Sequence, residues 1–403
     1  MKILIIAQDY SPTRVASTVR VERMVNTLSK KHQVTVLTGF PIYNQKTLPK
    51  EYKFKFYHRT LEDKVRIYRT YTYFTQSLQF IPRLWTQLSF MFSSFIVGLF
   101  IDKPDLIITT SPPLFTGFSG AALSFFKQTK FIFDVRDLWP ESAIALGVLK
   151  NPFLIKLIHF FANLVYKRAN KITVATPKIY THLKIKYPLK NINLLINATD
   201  TNFFKPMDID KKKYGYNKTD FIVSYMGNMG KAQSLTTIVK AAEILKNESK
   251  IKFLLVGKGD DEDRIRHKAR RLKNLKFMGY QTKEEILNLI NLSDVCLISL
   301  AKNKLFEGAI PSKTFEYMAC RKPVIACAKG DLESIIENTK TGLVVPPENA
   351  VFLSHAILQL KKNNHLRQTI AQNGYLLVKN RYSDKVFSTN FDRLLDLYQP
   401  CRS

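Results

Sequence analysis

Residues 308–326 read Gly-Ala-Ile-Pro-Ser-Lys-Thr-Phe-Glu-Tyr-Met-Ala-Cys-Arg-Lys-Pro-Val-Ile-Ala, a helix signal followed at once by a strand signal. Pro311 and Ser312 mark a helix start, with Ser312 as N-cap. The helix runs from Lys313 to about Arg321, its last turn carries Arg321 and Lys322, and Pro323 ends it. Val324 to Ala328 follows as a short apolar strand. A helix N-terminus offers unpaired amides and a positive dipole end, which suits a phosphate. Lys313 and Glu316 stand at i and i+3 and share a helix face. A cation with amides can hold a diphosphate, and a carboxylate can accept both hydroxyls of a ribose. From this stretch alone, an ordinary surface Lys–Glu pair is an equally good reading.

Working back from this stretch, strands and helices alternate: strand Phe221–Met226, loop Gly227–Ser234, helix Leu235–Lys246, strand Lys252–Val256 with Gly257-Lys258-Gly259 after it, strand Leu275–Phe277, helix Lys283–Asn291 and strand Asp294–Leu300. This order predicts a doubly wound parallel sheet. The strand ending in Gly227-Asn228-Met229-Gly230-Lys231 lets backbone amides approach a phosphate, with Lys231 as countercharge. Asn202 to Asp220 is polar and lysine-rich and reads as a linker. Downstream, 381–403 reads as an amphipathic helix long enough to cross to a first domain.

The first 200 residues open the same way. Ile3–Ala7 is a continuous apolar run, the mark of a parallel strand covered on both faces. It meets Asp9 at once, so it reads as a first strand and not as a signal peptide. A helix over about Thr18–Lys31 and a strand at Gln33–Thr38 follow. The intervening loop lacks the glycines of a dinucleotide fingerprint, which argues against a nicotinamide site. Tyr52–Tyr73 interleaves basic and aromatic residues, as single-stranded nucleic acid would require; a hairpin edge with one wet face is the commoner source of that pattern. Phe80–Ile101 carries one charge, Arg83, among aromatic and aliphatic residues. It is either a core helix or a helix lying in a membrane interface, with Trp85 near headgroup level and Arg66, Arg69 and Arg83 meeting lipid phosphates. Strands at Asp105–Thr110 and Phe131–Val135 end in Ser111-Pro112-Pro113 and in Arg136-Asp137-Leu138-Trp139-Pro140-Glu141. Charges at strand C-terminal ends in such sheets are site candidates. Asp134, Arg136, Asp137 and Glu141 could equally form an ion-pair network.

Length and charge are consistent with this. A chain of 403 residues suits two domains of about 200 each. The formal charge of +30 is spread over both halves, with 28 Lys/Arg against 11 Asp/Glu in residues 1–200. That balance invites nucleic acid, anionic lipid or an anionic substrate, and a lysine-rich compositional bias gives it too. Neither a recognition motif nor a compact basic helix supports nucleic acid. Four scattered cysteines, without a CxxC pair, argue against a zinc site and a disulfide framework. No apolar run reaches the length of a spanning helix.

Four stretches together carry a resemblance: 111–113, Asp134-Val-Arg-Asp-Leu-Trp-Pro-Glu141, Gly227-Asn-Met-Gly-Lys-Ala-Gln233, and Ile310-Pro-Ser-Lys-Thr-Phe-Glu-Tyr-Met-Ala319. Over nearly its whole length the chain resembles a family-four glycosyltransferase of the GT-B fold, and within that family the bacterial surface-polysaccharide branch that includes fucosamine transferases of O-antigen and colanic acid assembly. The resemblance implies an α/β protein with two Rossmann-like doubly wound domains facing across a cleft: 1–200 for the acceptor, linker 201–220, 221–380 for the nucleotide sugar, and 381–403 crossing back. It implies transfer of a sugar, such as an N-acetylated deoxyhexosamine, from a UDP-sugar with retention of configuration. Neither a metal nor a cofactor would be required. The acceptor would be a polyprenyl-diphosphate-linked saccharide, handled by an enzyme held peripherally on the anionic inner face of the cytoplasmic membrane. Matched to the family motifs, Glu316 would hold the donor ribose, and Ile310, Pro311, Ser312 and Lys313 would meet the phosphates. Gly227, Asn228, Gly230, Gln233, Gly257 and Lys258 would line the donor. Lys231 would offset leaving-group charge. Arg136 and Asp137 would act on the acceptor side as positioning and acid/base groups, with Ala16, Ser17, Asp134 and Glu141 around them.

The chain departs from the family pattern in three places. Gly308 replaces the first Glu of the Glu-x7-Glu motif, with Glu307 one residue away; Asn228 and Gln233 replace the usual Arg and Lys; and Val15-Ala16-Ser17 replaces paired glycines. The first bears on sugar recognition. A UDP-sugar 2-epimerase of the same architecture would keep the donor grip without an acceptor, and a noncatalytic transferase-like subunit would explain the missing Glu.

Overall fold

The computed structural model describes residues 1–13, 16–42, 47–77, 79–145, 147 and 149–396; the side chains of 16, 17, 80, 145 and 396 are left undescribed. Contacts divide the chain into two units, one built of 1–196 with the segment from Phe387, the other of Asn197–Val386.

In the first unit the chain runs β1 (Lys2–Ile6), α1 (Ala16–Leu28), β2 (Gln33–Gly39), β3 (Tyr57–Glu62), β4 (Val65–Thr70), α2 (Phe80–Phe100), β5 (Leu106–Ser111), α3 (Leu114–Phe126), β6 (Lys130–Val135), α4 (Glu141–Ala145), α5 (Pro152–Arg168), β7 (Lys171–Val174), α6 (Pro177–Lys186) and β8 (Ile192–Leu194). The sheet order is β3-β4-β2-β1-β5-β6-β7-β8. Among the described residues only β3 runs antiparallel, at the edge, where its wet face carries the basic and aromatic residues of the hairpin. The inner strands are apolar runs because helices cover both faces. β1 pairs with β2 on one side and β5 on the other, so the strand order reverses beside it. Ligands of such sheets bind at the C-terminal strand ends next to that reversal.

The second unit runs β9 (Phe221–Met226), α7 (Thr236–Ile244), β10 (Ile251–Val256), α8 (Glu262–Ala269), β11 (Leu275–Phe277), α9 (Lys283–Leu292), β12 (Val295–Ser299), α10 (Lys313–Ala319), β13 (Val324–Cys327), α11 (Asp331–Thr339), β14 (Gly342–Val345), α12 (Ala350–Lys362) and α13 (Asn364–Arg381). All strands are parallel in the order β11-β10-β9-β12-β13-β14, so the reversal falls between β9 and β12. The loops after those two strands flank it.

Several elements differ from the sequence reading. α3 is a helix that its Gly- and Ser-rich sequence conceals by poor propensity. Its small residues allow close packing, and Ser119 Oγ meets Ser94 Oγ of α2 at 2.9 Å. α10 stops at Ala319, because Arg321 takes a left-handed backbone (φ +54°) and lays its guanidinium over the Tyr375 ring. Lys322 leaves the helix end and donates to Asn291 O at 2.6 Å. Ser312 is already helical (φ −57°, ψ −33°), and its side chain makes no capping bond. The stretch expected as one helix from Arg381 is the end of α13 and then α14 (Asp384–Asp396), with 397–403 outside the described residues.

From Phe387 onward α14 belongs to the first unit. Phe387, Phe391 and Leu395 are buried there. The Arg20 and Arg23 guanidiniums lie 5.5 and 5.6 Å from the Phe387 ring centre, and Lys171, itself buried, donates to Leu394 O at 2.5 Å.

Candidate active site

In the second unit the site is built on the end of β9. Gly227 follows the strand at φ +134°, a backbone that L side chains rarely adopt. A methyl group there would overlap the Lys313 ammonium, brought in by the first turn of α10. Gly257, after β10, has φ +130° and abuts the carbonyl of Gly227 in the same way. The two loops are also stitched by Met229 N–H donating to Lys258 O (2.9 Å) and Gly227 N–H donating to Val256 O (2.9 Å).

Tyrosines lock α10 onto this strand end. Tyr317 hydroxyl accepts from Met226 N–H at 3.0 Å and donates to Met226 O at 3.2 Å. Tyr225 hydroxyl donates to Asn228 O at 2.7 Å and accepts from Lys313 Nζ at 2.9 Å. Lys313 therefore has a fixed position against the glycine turn. Desolvation lowers its pKa to about 8, with Glu316 one turn away pulling it back up. Glu316 is half-buried on the same face.

The remaining second-unit candidates divide between shaping the loop and facing solvent. Gln233 uses its amide oxygen internally, accepting from Gly230 N–H (3.1 Å) and Asn228 Nδ2 (3.4 Å). Ile310 is buried and Pro311 half-buried, so they set the approach of α10. Lys231 and Lys258 are exposed. Lys231 lines an open cavity of about 500 Å³ with Lys240, Arg264 and Asp261. Asp261 is held by Arg264 and by its own N–H on Met229 O, and the Arg264 hydrogen bond holds its carboxyl below the usual range. Glu307 lies in a short 3-10 turn, Phe306–Gly308, whose backbone packs against Gly330 ahead of α11.

In the first unit the candidates separate. Asp134 does not face a site: it is fully buried, and its carboxylate accepts from Arg20 Nε (2.9 Å), Arg20 NH2 (2.7 Å), Thr110 Oγ1 (3.0 Å) and Thr173 Oγ1 (2.6 Å). Burial alone would raise its pKa, but Arg20 and Thr173 outweigh burial and hold it low. Arg136 and Asp137 remain at the strand end. Arg136 donates to Pro112 O at 2.5 Å and to Ser111 O at 3.3 Å, which ties β6 to the loop after β5. Burial lowers its pKa to about 10. Burial raises that of Asp137, opposed by the Ser142 hydroxyl, the Leu138 amide and Arg136. Glu141 turns toward α6, 3.9 Å from Lys186 and 4.0 Å from His182. The side chains of Ala16 and Ser17, and all of Val15, lie outside the described residues.

Residues 206–377 match the family model described as "Glycosyl transferases group 1". This stretch contains the whole β9–α10 arrangement. The chain is a glycosyltransferase. It is 24% identical to an Escherichia coli K12 protein named "Putative colanic acid biosynthesis glycosyl transferase WcaI", covering 92% of this chain and 99% of that protein. Among solved structures, sucrose-phosphate synthase from Thermosynechococcus elongatus matches with a TM-score of 0.78 at 18% identity, over 98% of each chain. Anabaena Alr3699/HepE in complex with UDP-glucose matches with a TM-score of 0.73 at 15% identity, over 98% of this chain and 100% of that one. The fold is GT-B.

Within residues 206–377, sequence reasoning named the glycines and Lys313 but missed Tyr225 and Tyr317. One signal was present. Tyr225 is a polar-tipped residue near the end of the mostly apolar strand run Phe-Ile-Val-Ser-Tyr-Met, just before a glycine loop.

Proposed function

We propose that this glycosyltransferase moves a sugar from a UDP-sugar to a lipid-linked saccharide during assembly of a bacterial surface polysaccharide. The observation that carries the donor half is the enclosed Lys313 ammonium lying against the Gly227 turn, one helical turn from Glu316. A cation for a diphosphate and a carboxylate for a ribose thus stand on one face of α10 beside the glycine turn, which supports a nucleotide-sugar donor. The UDP-glucose held by HepE supports UDP as the nucleotide, and WcaI's colanic acid role supports a polysaccharide product. In this reading Lys231 and Lys313 balance leaving-group charge without a metal, Asp137 and Arg136 serve the acceptor hydroxyl, and transfer proceeds with retention. The donor sugar is an N-acetylated deoxyhexosamine of the fucosamine kind, fitting Gly308 where a carboxylate would read a further hydroxyl.

The acceptor half rests on α2. One side of that helix is buried through Phe90, Ser94 and Val97, while Trp85, Phe92, Ile96 and Phe100 stand exposed on the other. Among the described residues no helix is long and apolar enough to cross a membrane, and an apolar outer face on a half-buried helix suits a peripheral position on the cytoplasmic face of an anionic bilayer. Arg83 is exposed, but its spacing of seven and fourteen residues from Phe90 and Val97 puts it on their side of the helix and not on the apolar outer side. Arg69, also expected at lipid, is instead buried beside Glu62 at 3.3 Å, and Arg66 stands 3.7 Å from Asp102.

The test is incubation with a panel of UDP-sugars, with and without lipid-linked acceptors, and quantification of released UDP. Acceptor-dependent release with one sugar, lost in Glu316→Ala, is the expected result. Donor binding with acceptor-independent sugar rearrangement would make the protein an epimerase, and donor binding with no turnover a noncatalytic subunit.

A further inference from the structure

The apolar surface does not stop at α2. α3, packed beside it, ends in Phe125 and Phe126, which are 67% and 64% exposed. Beyond α3, α5 buries Ile158, Ala162 and Val165 and turns Phe153, Leu157, Phe160 and Leu164 outward. Those four positions are spaced by four, three and four residues, one continuous stripe on a helix. Ring contacts join the layer, Phe95 to Phe126 at 5.7 Å and Phe118 to Phe161 at 5.2 Å. The fold is satisfied by the inner faces, so the outer stripe is surplus to it.

Directly beside this stripe lies a concavity of about 460 Å³ between α5 and α6. Lys156, His159 and Lys167 of α5 and Lys186 of α6 converge on it. Three ammoniums share the rim with one facing carboxylate, Glu141, 3.9 Å from Lys186. Lys190 does not join them; it donates to Lys167 O and Ala169 O (2.5 and 2.8 Å) and so caps α5. The lining of this cradle is cationic, and Phe160 belongs both to it and to the apolar stripe.

We propose that the α5–α6 face is an anionic phospholipid site: the lipid phosphate sits among Lys156, Lys167 and Lys186 while Phe153 and Phe160 enter the headgroup–acyl boundary. Charge complementarity decides the occupant, because the first 200 residues hold 28 Lys/Arg against 11 Asp/Glu and the stripe is too apolar for an aqueous anion alone. The inference rests on the membrane reading of this enzyme but places it on a second helix.

The experiment is co-sedimentation of the full chain with phosphatidylcholine vesicles, with and without phosphatidylglycerol. Three variants are compared with wild type: Lys156→Gln/Lys167→Gln/Lys186→Gln, Phe153→Ser/Phe160→Ser, and Trp85→Ser/Phe92→Ser on α2. Wild type should bind phosphatidylglycerol vesicles, the lysine variant about a hundredfold less, and the phenylalanine variant less on both vesicle types. Phe160→Trp, which keeps the ring, should show a blue-shifted emission on phosphatidylglycerol vesicles. Loss of binding in the α2 variant alone would overturn this site and leave the α2 reading standing; no vesicle binding by wild type would overturn both. Inorganic phosphate or polyglutamate binding that distinguishes wild type from the lysine variant, when vesicles do not, would assign the cradle to a free anion or an acidic protein and overturn the lipid. A dimer abolished by Phe153→Ser/Phe160→Ser would overturn it equally, in favour of a second copy.

Discussion

Lys313 lies over the ring of Tyr225, its Nζ 4.1 Å from the ring centre, and donates to that residue's hydroxyl at 2.9 Å. The pair holds a cation where water is largely excluded, so its charge depends on pH. With a pKa of about 8, the free protein loses this charge as pH rises through that value. A bound diphosphate would restore it. UDP affinity should be flat below about pH 8 and fall roughly tenfold per unit above. Calorimetry across pH 6.5–9.5 checks this, and Lys313→Met should give a weaker, pH-independent profile. Because the folded pKa is depressed, wild-type stability should rise from pH 8 toward 10, and Lys313→Met should remove that rise.

Gly227→Ala tests the turn. The substitution forces a side chain into a positive-φ position and against the ammonium. We expect UDP binding to weaken by at least about tenfold, with a stability loss of about 1–3 kcal/mol. UDP affinity unchanged in a folded Gly227→Ala protein would remove this turn from the donor site.

Glu316 can be assigned by a cycle. If it holds the ribose, Glu316→Gln and removal of the 2′-hydroxyl from UDP should each cost about 1–3 kcal/mol, and together little more than either alone. Additive losses would separate Glu316 from the sugar ring of the nucleotide.

Asp134 should matter to stability and not to acceptor binding. Replacing it by Asn leaves Arg20 buried without its counter-charge, at a cost of about 3–5 kcal/mol at neutral pH. Its folded pKa is depressed, so the stabilisation is present above about pH 4, the unfolded value, and is lost as pH falls through the folded one. The stability gap between wild type and Asp134→Asn, read from denaturant curves, should therefore be widest above about pH 4 and narrow as pH falls below it. A variant as stable as wild type but weaker for acceptor would reverse the assignment.

The C-terminal helix offers a further stability test. Phe391 is fully buried in the first unit. Phe391→Ala should cost about 3–5 kcal/mol, and calorimetry should place the loss in the transition of the first unit.

The two sheets were legible because strands covered on both faces must be apolar throughout, and Ile3–Ala7 or Lys252–Val256 admit little else. The second-unit site was legible for a related reason: a chain that reverses against a neighbouring backbone needs glycine, and Gly227 and Gly257 mark the spots. Asp134 misled, because a carboxylate within Phe-Ile-Phe-Asp-Val has two explanations and the deciding partner, Arg20, lies 114 residues away. α3 was hidden because its glycines and serines, poor for an isolated helix, are what let it pack closely. In α5 only the packing shows that the outer side is apolar as well as the inner.

The segment from Phe387 closes over Arg20 and Arg23 of α1, although the whole second unit, 197–386, is synthesised between them. On the ribosome the first unit emerges early and waits through that interval with the α1 surface uncovered. Its completion is coupled to the arrival of α14, so a nascent chain arrested within the second unit should bind chaperones through that uncovered surface and release them once α14 emerges.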